Sequence, residues 1–195
     1  LWQLLVHEYT HVLHIDTIRP PYAWVNAVFG KSLSPNGFWP RWYVEGLATW
    51  VESYLSGGGR LRSALHDMTL RAQVDAGTML DLDVLSSPPL HWPRRDGWYL
   101  YGSRFVDFLV RRHGADAPSA IHHENAGTIV PLIPWFTNVG RWKEPLPDVH
   151  AAWVSELHLR SKLQRDARAP TTEPEFLTKG GELRRTPRFS IDGRT

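Results

Sequence analysis

The chain has 195 residues, of which 42% are hydrophobic and ten are Trp, so its composition is that of a globular protein and not of a disordered chain. It carries 22 Lys and Arg residues against 20 Asp and Glu residues, and this near balance gives no sign of a nucleic-acid-binding surface. The absence of Cys excludes disulfides, thiol catalysis and Cys-ligated zinc. No apolar run reaches roughly 18 residues, so no transmembrane segment is expected.

The first predicted helix contains the run HEYTH at positions 7–11, an H-E-x-x-H motif. Residues four apart share one helix face, so His7 and His11 can present two imidazole rings to one metal ion. Glu8 is displaced around the helix, where its carboxylate can act as a general base and not as a ligand. The alternative is a pair of surface histidines on an amphipathic helix. The flanking residues predict a buried helix because they are apolar, namely Leu1, Leu4, Leu5, Val6, Val12, Leu13 and Ile15.

A catalytic zinc ion needs a third protein ligand, and a second predicted helix supplies a candidate. This helix of about four turns lies between Pro40 and the glycines at 57–59. Glu45 stands beside its apolar stripe and next to Gly46 and Ala48, small residues that permit close helix packing, which favours a buried carboxylate over a solvated one. Residues 19–40, rich in Pro, Gly, Trp and Asn, are predicted to form an insertion in a surface loop between the two helices.

The nitrogen of a metal-bound imidazole that faces away from the metal usually donates to a carboxylate or carbonyl. Glu52, two turns after Glu45 on the same helix face, and Asp16, just past the first helix, are the nearest candidates in the sequence. His14 lies one helical step from His11, but a fourth protein ligand would close the position that water must occupy.

The rest of the first 167 residues is predicted to be mostly helical. Helices are expected over residues 60–76, from about Gly97 to His113 and over 148–167, with a loop or short turns over 80–97. Adjacent histidines diverge on a helix, so His122 and His123 suit one metal ion poorly and are expected to be surface polar residues.

The segment HEYTHVLHID, followed by PRWYVEGLATWVES, resembles gluzincin metallopeptidases of the peptidase MA-like type, distant relatives of the aminopeptidase N family. The resemblance implies one Zn²⁺ ion held by His7, His11 and Glu45, with Glu8 as the catalytic base. The stretch of sequence between His11 and Glu45 is longer than in the aminopeptidase N pattern.

The Y-x-x-G segment at 99–102 resembles the part of these enzymes in which a Tyr hydroxyl steadies the oxyanion of the tetrahedral intermediate. The match through Gly102 makes Tyr99 the implied donor, with Tyr101 as the alternative. A phenol suits this task because it donates a short hydrogen bond without carrying a charge itself.

The composition changes after residue 167. Residues 168–174 are predicted to be a linker from their Pro and Thr content, and 175–195 resemble the start of a TolB-like β-propeller, with Ile191 where Pro is usual. We therefore expect a mainly α chain: a helical zincin catalytic subdomain at 1–167, truncated at its N-terminus and lacking an upstream β-sheet, followed by a C-terminal β segment from a propeller blade.

The function expected from this resemblance is zinc-dependent hydrolysis of a peptide or protein substrate, with Glu8 as the general base that activates a zinc-bound water. The alternative is an envelope-associated propeller protein that binds a partner and has a structural or vestigial metal site. By resemblance the location is extracytoplasmic, periplasmic or secreted. The sequence leaves open the substrate, the choice between exopeptidase and endopeptidase, and the oligomeric state.

Overall fold

The structure is a computed structural model that describes residues 1–87, 96–128 and 144–168. The α-helices are α1 Trp2–Ile15, α2 Tyr22–Phe29, α3 Arg41–Ser56, α4 Ala64–Ala76, α5 Leu82–Ser86, α6 Asp96–His113, α7 Ala117–Asn125 and α8 Leu146–Asp166, and 3₁₀ turns cover Pro35–Phe38 and Arg60–Arg62. These ranges contain no strand, so the predicted mainly α architecture is confirmed. The predicted β segment at 175–195, like residues 169–174 of the predicted linker, lies outside the described residues.

The helix boundaries follow local chemistry. α3 begins directly after Pro40 and ends at Gly57, whose φ of 67° is in the left-handed region that glycine adopts without strain. At the start of α4 the Ser63 hydroxyl accepts a hydrogen bond from the backbone N–H of His66 at 3.3 Å. α6 begins one residue before the Gly97 start that the sequence predicts and ends, as predicted, at His113.

The core is formed around α3, which packs against both α1 and α6. Its largest fully buried side chains are mostly aromatic and come from α3, α6 and α8: Trp42, Tyr43, Tyr101, Phe105 and Trp153. The contact of α3 with α6 is closest where Gly46 faces Gly102. A Cβ atom on Gly46 would overlap backbone atoms of Gly102, and one on Gly102 would overlap the carbonyl oxygen of Trp42. The two backbones therefore touch directly at this crossing.

Two predictions about burial are corrected by the structure. α1 is not a buried helix: of its seven flanking apolar residues only Val6 is buried, because α3 covers one side and no element in the described ranges covers the other. The insertion at 19–40 is not entirely a surface loop either. It contains α2, and the fully buried Asn36 donates hydrogen bonds to the carbonyl oxygens of Thr17 at 3.0 Å and His122 at 3.2 Å.

Among the described helices, none combines the length and the apolar character that crossing a membrane requires.

Candidate metal centre

His7 and His11 of α1 meet Glu45 of α3 at the packing contact between the two helices. The Nε2 atom of His7 lies 3.3 Å from Glu45 Oε2, and the Nε2 atom of His11 lies 3.5 Å from the same oxygen. One ligand atom from each of the three residues lies within 4.8 Å of the others. The four-residue spacing of the histidines and the position of Glu45 toward the core together produce this arrangement.

The donor set and its distances fit a zinc ion. Zinc in proteins takes imidazole nitrogen and carboxylate oxygen ligands at about 2.0–2.2 Å in tetrahedral geometry, which places two ligand atoms about 3.3–3.6 Å apart. Both nitrogen-to-oxygen distances at Glu45 Oε2 fall in this interval. Hydrogen bonds from His11 and then His7 hold the pKa of Glu45 well below its usual range, although burial opposes them, so its carboxylate is ionised.

Glu52 supports His7 from the other side of the imidazole ring. Its Oε2 atom lies 3.0 Å from His7 Nδ1, and both side chains are buried. When the Nδ1–H group donates to this carboxylate, the Nε2 atom is unprotonated and can bind a metal ion. The structure therefore brings Glu52 to the position that the sequence suggested for it.

Arg60, which the sequence analysis missed, completes this support. Its Nε atom donates to Glu52 Oε1 at 3.0 Å and its Nη2 atom donates to Oε2 at 2.8 Å. Arg60 Nη2 also lies 3.1 Å from His7 Nδ1. When His7 Nδ1 carries a proton, both nitrogens are donors, and both donate to the same acceptor, Glu52 Oε2. Burial raises the pKa of Glu52, but the hydrogen bonds and charge of Arg60 outweigh it and leave the pKa lowered.

Glu8 follows His7 directly on α1, and Asp16 lies just past the C-terminal end of this helix. Glu8 is exposed and makes no ion pair or side-chain hydrogen bond with any residue that the structure describes. Asp16 is also exposed, and it pairs with Lys31 and not with either histidine of the cluster, because the chain after α1 turns toward the insertion.

The two candidate tyrosines on α6 have different surroundings. Tyr99 lies beside the cluster: its ring centroid is 6.1 Å from that of His7, and the Arg60 guanidinium carbon stands 4.3 Å from the Tyr99 centroid. Burial and then the charge of Glu45 raise the pKa of Tyr99, so its hydroxyl keeps its proton at neutral pH. Tyr101 is fully buried and donates to Gln73 in the core, which leaves Tyr99 as the tyrosine next to the candidate ligands His7, His11 and Glu45.

A second histidine cluster, buried between α1 and α7, corrects the expectation that His122 is a surface residue. His14 and His122 are 3% and 7% exposed, and their ring centroids are 4.2 Å apart. The hydroxyl of Tyr43, whose pKa is strongly raised by burial, forms a hydrogen bond of 2.8 Å with His122 Nε2. Neither ring nitrogen of His14 has a hydrogen-bond partner among the described residues. Burial lowers the pKa of His14 to about 4 and that of His122 to about 2, so both rings are neutral.

No family model matches this chain, and neither the curated proteins nor the solved structures contain a match. The resemblance to gluzincins therefore stays a prediction from the sequence motifs, and the functional argument depends on the side-chain geometry described above.

Proposed function

We propose that this chain is a zinc-dependent peptidase that hydrolyses peptide bonds in a peptide or protein substrate. The observation that supports the proposal most is the convergence of two imidazole nitrogens on one carboxylate oxygen at 3.3 and 3.5 Å. His7, His11 and Glu45 would hold the ion, and Glu52 with Arg60 would fix the orientation of His7. A bound Zn²⁺ ion supplies Lewis acidity, which makes water a stronger acid and polarises a carbonyl group.

The remaining roles fall to Glu8 and Tyr99. Glu8 follows a metal ligand directly in the sequence and has no competing partner, so it can take a proton from the attacking water and pass it to the leaving amine. Tyr99 is protonated and lies beside His7, so its hydroxyl can donate to the substrate carbonyl oxygen as negative charge develops there. Together these residues provide the base and the oxyanion donor that amide hydrolysis requires.

The test combines zinc content with turnover of a peptide library by the wild type and Glu8→Gln. General-base catalysis contributes about 10²–10⁴-fold, so Glu8→Gln should lower turnover by at least about 100-fold while its zinc content stays unchanged. Asp83→Asn is the matched control, since Asp83 is an exposed carboxylate on α5 that accepts a hydrogen bond from the adjacent backbone N–H of Val84. Removing zinc with a chelator should abolish turnover, and adding zinc should restore it.

Equal turnover in wild type and Glu8→Gln would overturn the proposed mechanism. Stoichiometric zinc in a folded protein that cleaves no peptide in the library would instead favour the alternative, a binding protein with a structural metal site.

A further inference from the structure

A cavity of about 210 Å³ lies between α4, α6 and α8, and no residue of the metal cluster lines it. Leu70, Val74 and Trp153 are almost fully buried and form an apolar inner wall. The remainder of the lining includes two carboxylates, Asp67 and Asp107, and four arginines that come from all three helices: Arg71, Arg104, Arg111 and Arg160. An apolar wall with convergent charged groups is the usual composition of a small-molecule site.

Three of these arginines have carboxylate partners. The pairs are Arg104 with Asp67 at 2.5 Å, Arg111 with Asp107 at 3.0 Å and with Glu156 at 2.9 Å, and Arg160 with Glu156 at 3.6 Å. Three carboxylates therefore balance three guanidinium groups.

Arg71 is the fourth, and its charge is not balanced. It donates to the amide oxygen of Gln164 at 2.7 Å and has no carboxylate partner within the described ranges. Gln164 also lines the cavity, so this uncompensated guanidinium is held at the cavity and does not extend freely into solvent. One net positive charge remains for a ligand to neutralise.

Arg104 gives a second, independent indication. Its side chain is about nine-tenths buried, and its Nη1 atom has no hydrogen-bond acceptor among the residues that the structure describes. A buried donor on a charged group without an acceptor is unfavourable, and an anion that enters beside Arg104 would provide one.

We propose that this cavity binds a carboxylate carried on an apolar group. A carboxylate matches the single surplus charge and the planar, two-pronged geometry of a guanidinium group, and the apolar wall requires an apolar substituent. The volume is below the roughly 300–1,000 Å³ of sites for drug-sized ligands, so the ligand is a small organic acid or the C-terminal residue of a peptide. This inference does not depend on the peptidase proposal.

Isothermal titration of the full chain with three probes tests the proposal: 3-phenylpropionate, acetyl-leucyl-phenylalanine and the C-terminal amide of that dipeptide. Both acids should bind with a stoichiometry of one per chain. The amide should bind at least about tenfold more weakly than the dipeptide acid, since a hydrogen bond to a charged group is lost. Tighter binding of 3-phenylpropionate would identify a small acid as the ligand type, and tighter binding of the dipeptide acid would identify a peptide terminus. Because carboxylates also bind zinc, each titration is repeated after chelation and should give the same affinity.

Three variants make the result specific to the cavity. Arg71→Gln, at a partly exposed position where folding is not at risk, should weaken both acids about tenfold. Lys162→Gln is the matched control, because Lys162 lies on α8, pairs with Asp166 at 2.5 Å and does not line the cavity. Leu157→Trp should narrow the cavity and weaken the binding of both acids without changing the circular dichroism spectrum.

The proposal is overturned if neither acid binds up to about 10 mM, beyond the millimolar range that a weak specific site reaches. It is also overturned if the amide binds as well as the acid, or if Arg71→Gln leaves the affinity of the acids unchanged.

Discussion

Lowering the pH should destabilise this fold through the buried pair His14 and His122. Both imidazoles are neutral in the folded state because burial lowers the pKa of His14 to about 4 and that of His122 to about 2, from the ordinary value of 6.5. In the unfolded chain both titrate near 6.5. Above that pH both states are neutral, and these residues add no pH dependence to the free energy of unfolding.

As the pH falls below 6.5, the unfolded state binds protons that the folded state excludes, so the free energy of unfolding decreases. The difference between 6.5 and about 4 corresponds to about 3 kcal/mol for His14, and His122 loses about as much over the same interval. The combined loss is comparable to the total stability of many domains, about 5–15 kcal/mol. Within the described ranges four carboxylates have a lowered pKa, namely Glu45, Glu52, Asp75 and Glu144, and they add acid sensitivity only below about pH 4.5, so the interval above that pH reports on histidines.

Urea unfolding between pH 7.5 and about 4.5, followed by circular dichroism in the presence of a chelator, measures this effect. The midpoint for the wild type should fall steeply below pH 6.5, and His14→Phe, which cannot bind a proton, should show a shallower decline. His123→Gln is the matched control because His123 adjoins His122 but is exposed. A wild-type stability that is equal at pH 7 and 4.5, or an equal decline in His14→Phe, would refute the reasoning.

Two further predictions concern the proposed metal centre. Glu52→Gln should weaken zinc binding by about 10–100-fold, because an amide oxygen is a poorer acceptor than a carboxylate for the His7 N–H, and competition with a chelator measures the change; an unchanged affinity would show that Glu52 only anchors Arg60. Tyr99→Phe should lower kcat by about two orders of magnitude with little change in KM, since losing one oxyanion donor costs about 3 kcal/mol. Tyr101→Phe should lower the Tm and leave kcat unchanged. If steady-state kinetics instead show a lower kcat for Tyr101→Phe and an unchanged kcat for Tyr99→Phe, Tyr101 is the donor.

Local sequence signals predict most of the helices because their causes are local. Pro40 and Gly57 frame α3, and the apolar spacing after Gly97 predicts α6 to its last residue. The positions of His7, His11 and Glu45 at one helix contact could also be anticipated, because the i,i+4 spacing fixes two of them and the burial of a helical carboxylate needs a partner. Their role as zinc ligands stays a prediction.

The features that sequence reasoning missed depend on contacts between distant segments. The apolar residues of α1 surround much of its circumference, so periodicity cannot tell which side another element covers. Arg60 follows a glycine-rich turn and has no helical register with Glu52, so nothing local indicates that it folds back onto that carboxylate. His122 resembles a surface residue in a polar run, but in the folded chain it is buried against His14, Trp39 and Tyr43, which lie far from it in the sequence. The one available signal for Arg60 was indirect: a buried Glu52 carboxylate is stable only with a cationic partner, so a nearby Lys or Arg could have been expected to contact it.

The direct backbone contact between Gly46 and Gly102 has a consequence for the geometry of the proposed active site. Gly46 follows the proposed ligand Glu45, and Gly102 lies one turn after Tyr99, so the contact ties together the two main chains that carry them. The two main chains cannot come closer together at this point without overlap of their atoms. The minimum separation of the main chains that carry the proposed ligand and phenol is thus set by the size of backbone atoms and not by the choice of surrounding side chains. Substitutions elsewhere in the core can alter the stability of this chain while leaving that separation intact.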